Sequence, residues 1–96
     1  YKGEEYKEGS YLIEVYGPAL NVQENFLKPM KDAWMNIIHP RGNIRDKVAA
    51  FIGAFLGLSE VKITQVAIHE ATGVSRTSLS PKLRQYNTIL KKYFNL

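Results

Sequence analysis

Side chains that form hydrogen bonds and carry positive charge are concentrated near the end of this 96-residue chain, between residues 75 and 92. From residue 75 onward the sequence contains five Lys or Arg residues and no Asp or Glu, whereas the net charge of the whole chain is +4. Clustered basic, hydroxyl and amide groups bind phosphates and base edges, so this segment indicates a polyanionic partner. A solvated basic helix face is the alternative interpretation.

Two helices joined by a tight turn should present these side chains. Thr64 can cap a short helix that runs through Ala71, and Gly73 can adopt the left-handed backbone conformation that turns the chain. Ser75 can cap the helix that follows. This spacing predicts a helix-turn-helix motif, whose second helix enters the major groove of double-stranded DNA.

The second of these helices has one apolar and one polar face. The apolar residues that recur at helical spacing, and would pack inward, are Leu79, Leu83, Tyr86, Leu90 and Tyr93. The residues that lie across the helix from Leu79 are Thr77, Pro81, Arg84 and Thr88. The predicted DNA-binding residues are Ser75, Arg76, Thr77, Ser78, Ser80, Lys82, Arg84, Gln85, Lys91 and Lys92. Arg76 is the expected base reader, because its guanidinium can donate two hydrogen bonds to one guanine.

Pro81 leaves two possible starts for this helix. If Ser75 caps it, the helix contains a proline near its beginning and loses one backbone hydrogen bond. If Ser80 caps a helix that begins at Pro81, the residues before it form a separate turn. The base-reading surface would then move to Lys82, Arg84 and Gln85.

The segment from 64 to 86 resembles the last two helices of a cyclin-box repeat in transcription initiation factor IIB and its archaeal counterpart, transcription factor B. The residues that match the family without gaps are Thr64, Gln65, Ile68, Glu70, Gly73, Val74 and Ser75. The residues that follow the family's apolar and basic pattern in the recognition helix are Leu79, Lys82, Leu83 and Arg84. The resemblance implies a five-helix cyclin-box-like repeat over roughly residues 10–94, with a TATA-binding protein and RNA polymerase as partners.

Two departures from the family pattern affect this comparison. Residues 42–45, Gly-Asn-Ile-Arg, stand where the family's third helix begins with a Gly-Arg-Ser-Pro-like sequence. His69 occupies the position where the two helices of the motif cross and where the family favours alanine. A histidine there implies either a wider crossing or a side chain that turns outward.

The first part of the chain contains weaker signals. Residues 1–9 lack periodicity and are expected to form a polar tail before a single helical DNA-binding domain at 10–96. The next residues alternate loosely, but no partner strand is recognisable, so we expect a short helix that ends near Gly17 and Pro18.

Two further helices complete the predicted bundle. Asn21 and Glu24 resemble a capping box, and Pro29 either kinks the helix that follows or marks its start. That helix should end at His39 and Pro40. Its predicted core residues are Phe26, Met30, Ala33, Trp34, Ile37 and Ile38. The stretch 44–57, with Asn43 or Asp46 as its cap, is apolar on nearly every side and should be the buried central helix. The sequence thus predicts an all-α bundle of about five helices.

Other classes of site have no support in the sequence. There is no cysteine, and the two histidines, His39 and His69, stand thirty residues apart, so we expect no metal site and no thiol chemistry. The chain lacks a phosphate-binding glycine loop and a paired set of acids, and we expect neither an enzyme nor a bound cofactor. The longest apolar run, at 48–58, is too short to span a membrane.

These observations lead to two functional hypotheses. The first is a DNA-binding domain of a transcription initiation or regulatory factor, located inside the cell in the cytoplasm and nucleoid or in the nucleus. The second is a helical protein–protein adaptor that makes no direct contact with DNA. The chain begins with Tyr1 instead of Met, so we expect it to be a piece of a longer protein.

Overall fold

Residues 3–95, which the computed structural model describes, contain five helices and no strand. The helices are α1 (Gly3–Ala19), α2 (Glu24–Asn36), α3 (Ile44–Leu58), α4 (Gln65–Thr72) and α5 (Arg76–Tyr93). The prediction of an all-α bundle of about five helices is therefore confirmed. None of the helices within this described part combines the length and the apolarity needed to cross a membrane.

Helix α3 is the centre of the bundle, as its composition predicts. Every residue from 47 to 56 is buried, and α3 contacts each of the other four helices. Small side chains let those helices approach closely. At Gly53, an added Cβ atom would lie 2.8 Å from both Ile68 Cδ1 and Leu83 Cδ2, so a larger residue would force these two side chains to shift.

Helix α1 begins much earlier than the sequence suggests. Residues 3–9 form its first turns, so the prediction that residues 1–9 form a polar tail is wrong for residues 3–9. Residues 1 and 2 lie outside the described residues. Long-range contacts hold these turns in place. Tyr6 Oη donates a hydrogen bond to the Ile37 carbonyl at 2.8 Å, and Trp34 Nε1 donates one to the Tyr6 carbonyl at 3.1 Å. Such contacts between distant residues leave no local periodicity in the sequence.

A buried cation also ties α1 to the central helix. Lys47 is only 5% exposed, and its ammonium group forms an ion pair with the carboxylate of Glu5. Glu5 itself stays partly open to solvent, which reduces the desolvation cost of the pair. Removal of either residue would leave the charge of the other without an ion pair. This contact therefore helps to fix the position of α1.

Helix α2 starts at Glu24, and the predicted capping box at Asn21 is wrong. Asn21 has a positive φ of 58°, and the N-cap is Gln23, whose side chain makes no capping hydrogen bond. Pro29 lies inside the helix and does not mark its start. Ile38 follows the end of α2 and is 76% exposed, so its assignment to the core is wrong. The predicted core residues that are buried are Met30, Ala33, Trp34 and Ile37.

Truncation of Phe51 tests the central position of α3. The Phe51 ring is fully buried, with its centroid 5.3 Å from that of Trp34 and 5.7 Å from that of Tyr86. Phe51→Ala should lower the free energy of unfolding by about 3–5 kcal/mol, because it leaves a cavity that its neighbours cannot close. Tyr11→Ala is the control, since Tyr11 is 65% exposed and its loss should change stability by only about 0.5 kcal/mol. Urea denaturation provides both values, and similar small losses would contradict the described core.

Candidate nucleic-acid interface

The connection between α4 and α5 is built as the residue types predict. Thr64 Oγ1 accepts a hydrogen bond from the Ala67 amide at 3.1 Å and so caps α4. Gly73 ends α4 with a left-handed φ of 76°. Ser75 caps α5, because its Oγ accepts a hydrogen bond from the Ser78 amide at 3.3 Å. Residues 73–75 thus join the two helices by a short, fixed turn.

His69 stabilises this turn from outside. A histidine at the crossing of α4 and α5 implies either a wider crossing or a side chain that turns outward. The His69 side chain is exposed, so it turns outward. The Nδ1 atom lies 2.7 Å from the Val74 carbonyl oxygen, which can only accept, so Nδ1 donates this hydrogen bond. Thr72 Oγ1 makes two further bonds, donating to the Ile68 carbonyl at 2.7 Å and accepting from the Val74 amide at 3.2 Å. Sequence reasoning missed these roles of Thr72 and His69, because both depend on the path of the turn.

Helix α5 runs continuously from Arg76 to Tyr93 with Pro81 at its sixth position. The alternative start, with Ser80 as a second cap and a separate turn before it, is therefore wrong. Pro81 has no amide hydrogen to donate to the Thr77 carbonyl. The helix tolerates this loss near its exposed first turns, where the Ser75 cap and the buried Leu79 hold it against the bundle.

The inward face of α5 matches the predicted stripe except at its end. Leu79, Tyr86 and Leu90 are fully buried, and Leu83 is partly buried against the core. Tyr93 is 41% exposed, so the prediction that it packs inward is wrong. It is the last residue of α5, and its ring meets Phe94 edge-on at 5.0 Å.

The outward face of α5 presents most of the predicted DNA-binding side chains to solvent. The exposed residues are Ser75, Arg76, Thr77, Ser78, Arg84, Gln85, Lys91 and Lys92, and the half-buried ones are Ser80 and Lys82. Within residues 3–95 the ion pairs join Lys31 to Glu14 and Lys47 to Glu5, and neither includes a residue of α5. The positive charge on α5 is thus not compensated by an ion pair within the described part of the chain.

These residues do not all lie close together. Lys91 follows Arg76 by fifteen residues, which corresponds to about 23 Å along a helix. Arg84 is about 12 Å from Arg76 by the same measure. The exposed groups are therefore spread along α5, with Arg76 near its start, Arg84 near its middle and Lys91 and Lys92 near its end.

Tyr86 and His39 connect the inner side of α5 to the segment after α2. His39 Nε2 lies 2.8 Å from the Trp34 carbonyl oxygen and must donate to it, so in the neutral ring Nδ1 accepts from Tyr86 Oη at 2.8 Å. Burial, followed by the nearby Glu5 carboxylate, raises the pKa of Tyr86 well above its ordinary value. The phenol therefore stays protonated and remains a donor. The role of His39 in these contacts is structural.

A groove of about 620 Å³ lies on another side of the molecule. It runs between the α1–α2 connection, the segment before α4, and one face of α4 itself. Its lining is partly apolar, with Val22, Phe26 and Ile63 among the side chains, and Lys62 and Glu70 are charged residues in it. No pattern in the sequence indicates this groove, because it forms between segments that are distant in the sequence.

No protein-family model, curated protein or solved structure matches this chain. Its function must therefore be inferred from its own residues. The α4–α5 surface combines a fixed turn, an exposed first turn rich in hydrogen-bonding groups and an acid-free basic helix.

A matched pair of glycine substitutions tests the turn. Gly73→Ala should destabilise the domain by about 1 kcal/mol, because φ is left-handed there although no atom obstructs a Cβ. Gly57→Ala should instead stabilise it by about 0.5 kcal/mol, because Gly57 lies in a helix with open space around it and without a positive φ. Thermal unfolding of both variants shows whether each substitution raises or lowers the stability of the domain. Equal effects of one sign would show that Gly73 does not need its left-handed conformation.

Proposed function

We propose that this domain binds duplex DNA as part of a transcription initiation or regulatory factor. In this proposal α4 and α5 form a helix-turn-helix, and the first turns of α5 enter the major groove. The single observation that carries the proposal is the exposed, acid-free face of α5 directly after the capped turn at residues 73–75. Such a protein would act in the nucleus or the nucleoid.

The exposed residues of α5 would have different tasks. Arg76 and Arg84 are separated by about two helical turns, which is about 12 Å along α5. Arg76 is the proposed base reader, since it is the long cation of the first turn and its side chain is exposed. Lys91 and Lys92 lie at the far end of α5, about 23 Å from Arg76, and phosphate contact is the role proposed for them.

The buried core behind α5 supports this arrangement. A helix that reads bases must keep a fixed orientation, and α5 is held by Leu79, Tyr86 and Leu90 along its whole length. The hydrogen bond between Tyr86 and His39 adds a directional constraint. By the resemblance to the transcription factor IIB family, a TATA-binding protein and RNA polymerase are proposed as protein partners.

The adaptor hypothesis has one observation in its favour. Tyr93 and Phe94 are both about 40% exposed and lie at the end of α5, where they could contact another protein. Salt dependence separates the two functions. Binding through phosphate contacts weakens steeply with salt because bound counterions are released, whereas an adaptor has no affinity for duplex DNA.

The first test measures binding of the full chain to random and to selected duplexes over a series of salt concentrations. We expect log K to fall linearly with log salt, with a slope of about −0.9 for each phosphate contacted. Fluorescence anisotropy of labelled duplex provides the constants. Absent or salt-insensitive binding would refute the proposal and favour the adaptor.

The second test separates base reading from phosphate contact. Arg76→Ala should weaken binding to a selected site by about 1–3 kcal/mol and have much less effect on random duplex. Arg84→Ala is the comparison, because Arg84 is also exposed but lies two turns further along α5. If Arg76→Ala costs the same affinity on both duplexes, Arg76 contacts a phosphate. If only Arg84→Ala removes the preference, the reading surface lies further along the helix.

A further inference from the structure

The connection between α2 and α3, residues 37–43, lies against α5. The two attachments are the hydrogen bond between His39 and Tyr86, at 2.8 Å, and that from Lys82 Nζ to the Arg41 carbonyl oxygen, at 3.0 Å. Tyr86 and Lys82 are one turn apart and share a face of α5. As the connection advances from residue 39 to residue 41, it therefore runs toward the first turns of α5.

Local contacts fix the backbone after the second attachment. Gly42 has a φ of +146°, and a Cβ atom there would lie 2.4 Å from Lys82 Nζ, so no other residue fits without displacing Lys82. Asn43 then caps α3, because its Oδ1 accepts a hydrogen bond from the Arg45 amide at 2.9 Å. Residues 41 and 42 thus lie beside Lys82 of α5, and the Asn43 cap fixes the path of the chain from there into α3.

Two arginines project from this defined segment. Arg41 and Arg45 are both exposed, and neither takes part in the ion pairs of the described chain. The nearby acids are Asp46, which is half-buried, and Glu5, which is paired with Lys47. The connection and the start of α3 therefore carry two exposed cations close in sequence to the point where Lys82 meets Arg41.

We propose that Arg41 and Arg45 form a second DNA contact and bind phosphates of the strand that borders the major groove beside α5. A helix with its side chains is about 10–12 Å across and fills a major groove about 12 Å wide. An element at the flank of such a helix lies nearest to the phosphate backbone that borders the groove, and the contact of Arg41 with half-buried Lys82 places the connection at one flank of α5. This inference rests on the proposed function.

Lys82 has a specific task in this arrangement. It uses one of its three N–H donors on the Arg41 carbonyl and so holds the arginine segment against α5. The sequence predicts that Lys82 binds DNA, and its remaining N–H groups can still donate hydrogen bonds to a phosphate. The sequence analysis does not select Arg41 or Arg45, because nothing in the spacing brings residues 41 and 82 together.

The test uses the full chain with both arginines replaced, Arg41→Gln and Arg45→Gln. The slope of log K against log salt on random duplex should become shallower by about 1.8, the value expected for two lost phosphate contacts. The preference for a selected site over random duplex should stay unchanged, because phosphate contacts carry no sequence information. Circular dichroism melting checks that the variant remains folded.

The matched control is the double variant Lys7→Gln and Lys28→Gln. Both lysines are exposed on α1 and α2, and the variant loses the same two charges from the net +4. Its slope should equal that of the unaltered chain. An equal decrease in both double variants, or an unchanged slope in the arginine variant, would overturn the inference while the proposed function stands. Absence of salt-dependent binding by the unaltered chain would overturn both.

Discussion

A helix that is buried on every side constrains the whole molecule. The ten consecutive buried residues of α3 can leave water only if other helices cover all faces, and the other four helices each contact it. Two of the covering helices come close at Gly53, where the tips of Ile68 and Leu83 occupy the space that a side chain would need. The positions of α4 and α5, and so of the candidate interface, follow from this packing. The interface is thus a surface of the core helices and not an appended segment.

The same residues that complete the core determine which part of α5 faces outward. Leu79, Tyr86 and Leu90 occupy one stripe, so the polar and basic residues of the helix are left on the other side. Two hydrogen bonds, from Lys82 to Arg41 and between Tyr86 and His39, add a second layer of support at the flank of α5. Burial raises the pKa of the Tyr86 phenol, so this group stays a donor even in alkaline solution. Because stability and orientation depend on shared residues, a core substitution such as Phe51→Ala would affect both.

Most features that depend on neighbouring residues could be predicted from the sequence, although the predicted capping box at Asn21 is wrong. Asn43, Thr64 and Ser75 are helix caps, and Gly73 has the left-handed conformation, because each of these roles is decided within three or four residues. Features that depend on distant residues could not be predicted. The first turns of α1 look polar in the sequence but are ordered by contacts with α2 and α3, and Arg41 meets Lys82 across 41 residues of chain. Ile38 and Tyr93 both continue a helical apolar pattern in the sequence. Ile38 lies after the end of α2 and Tyr93 in the last turn of α5, and no neighbour covers either side chain fully.

The central claim is that the first turns of α5 form the surface that meets DNA. Titration of the isotope-labelled chain with duplex DNA, followed by amide chemical shifts in NMR spectra, tests this claim most directly. The account predicts that shifts concentrate at residues 75–85 and at 41–45, while amides on the outer faces of α1 and α2 stay in place. Changes confined to the groove at residues 19–23 and 61–64, or to the exposed aromatic residues 93–94, would contradict the account and assign binding to a different surface.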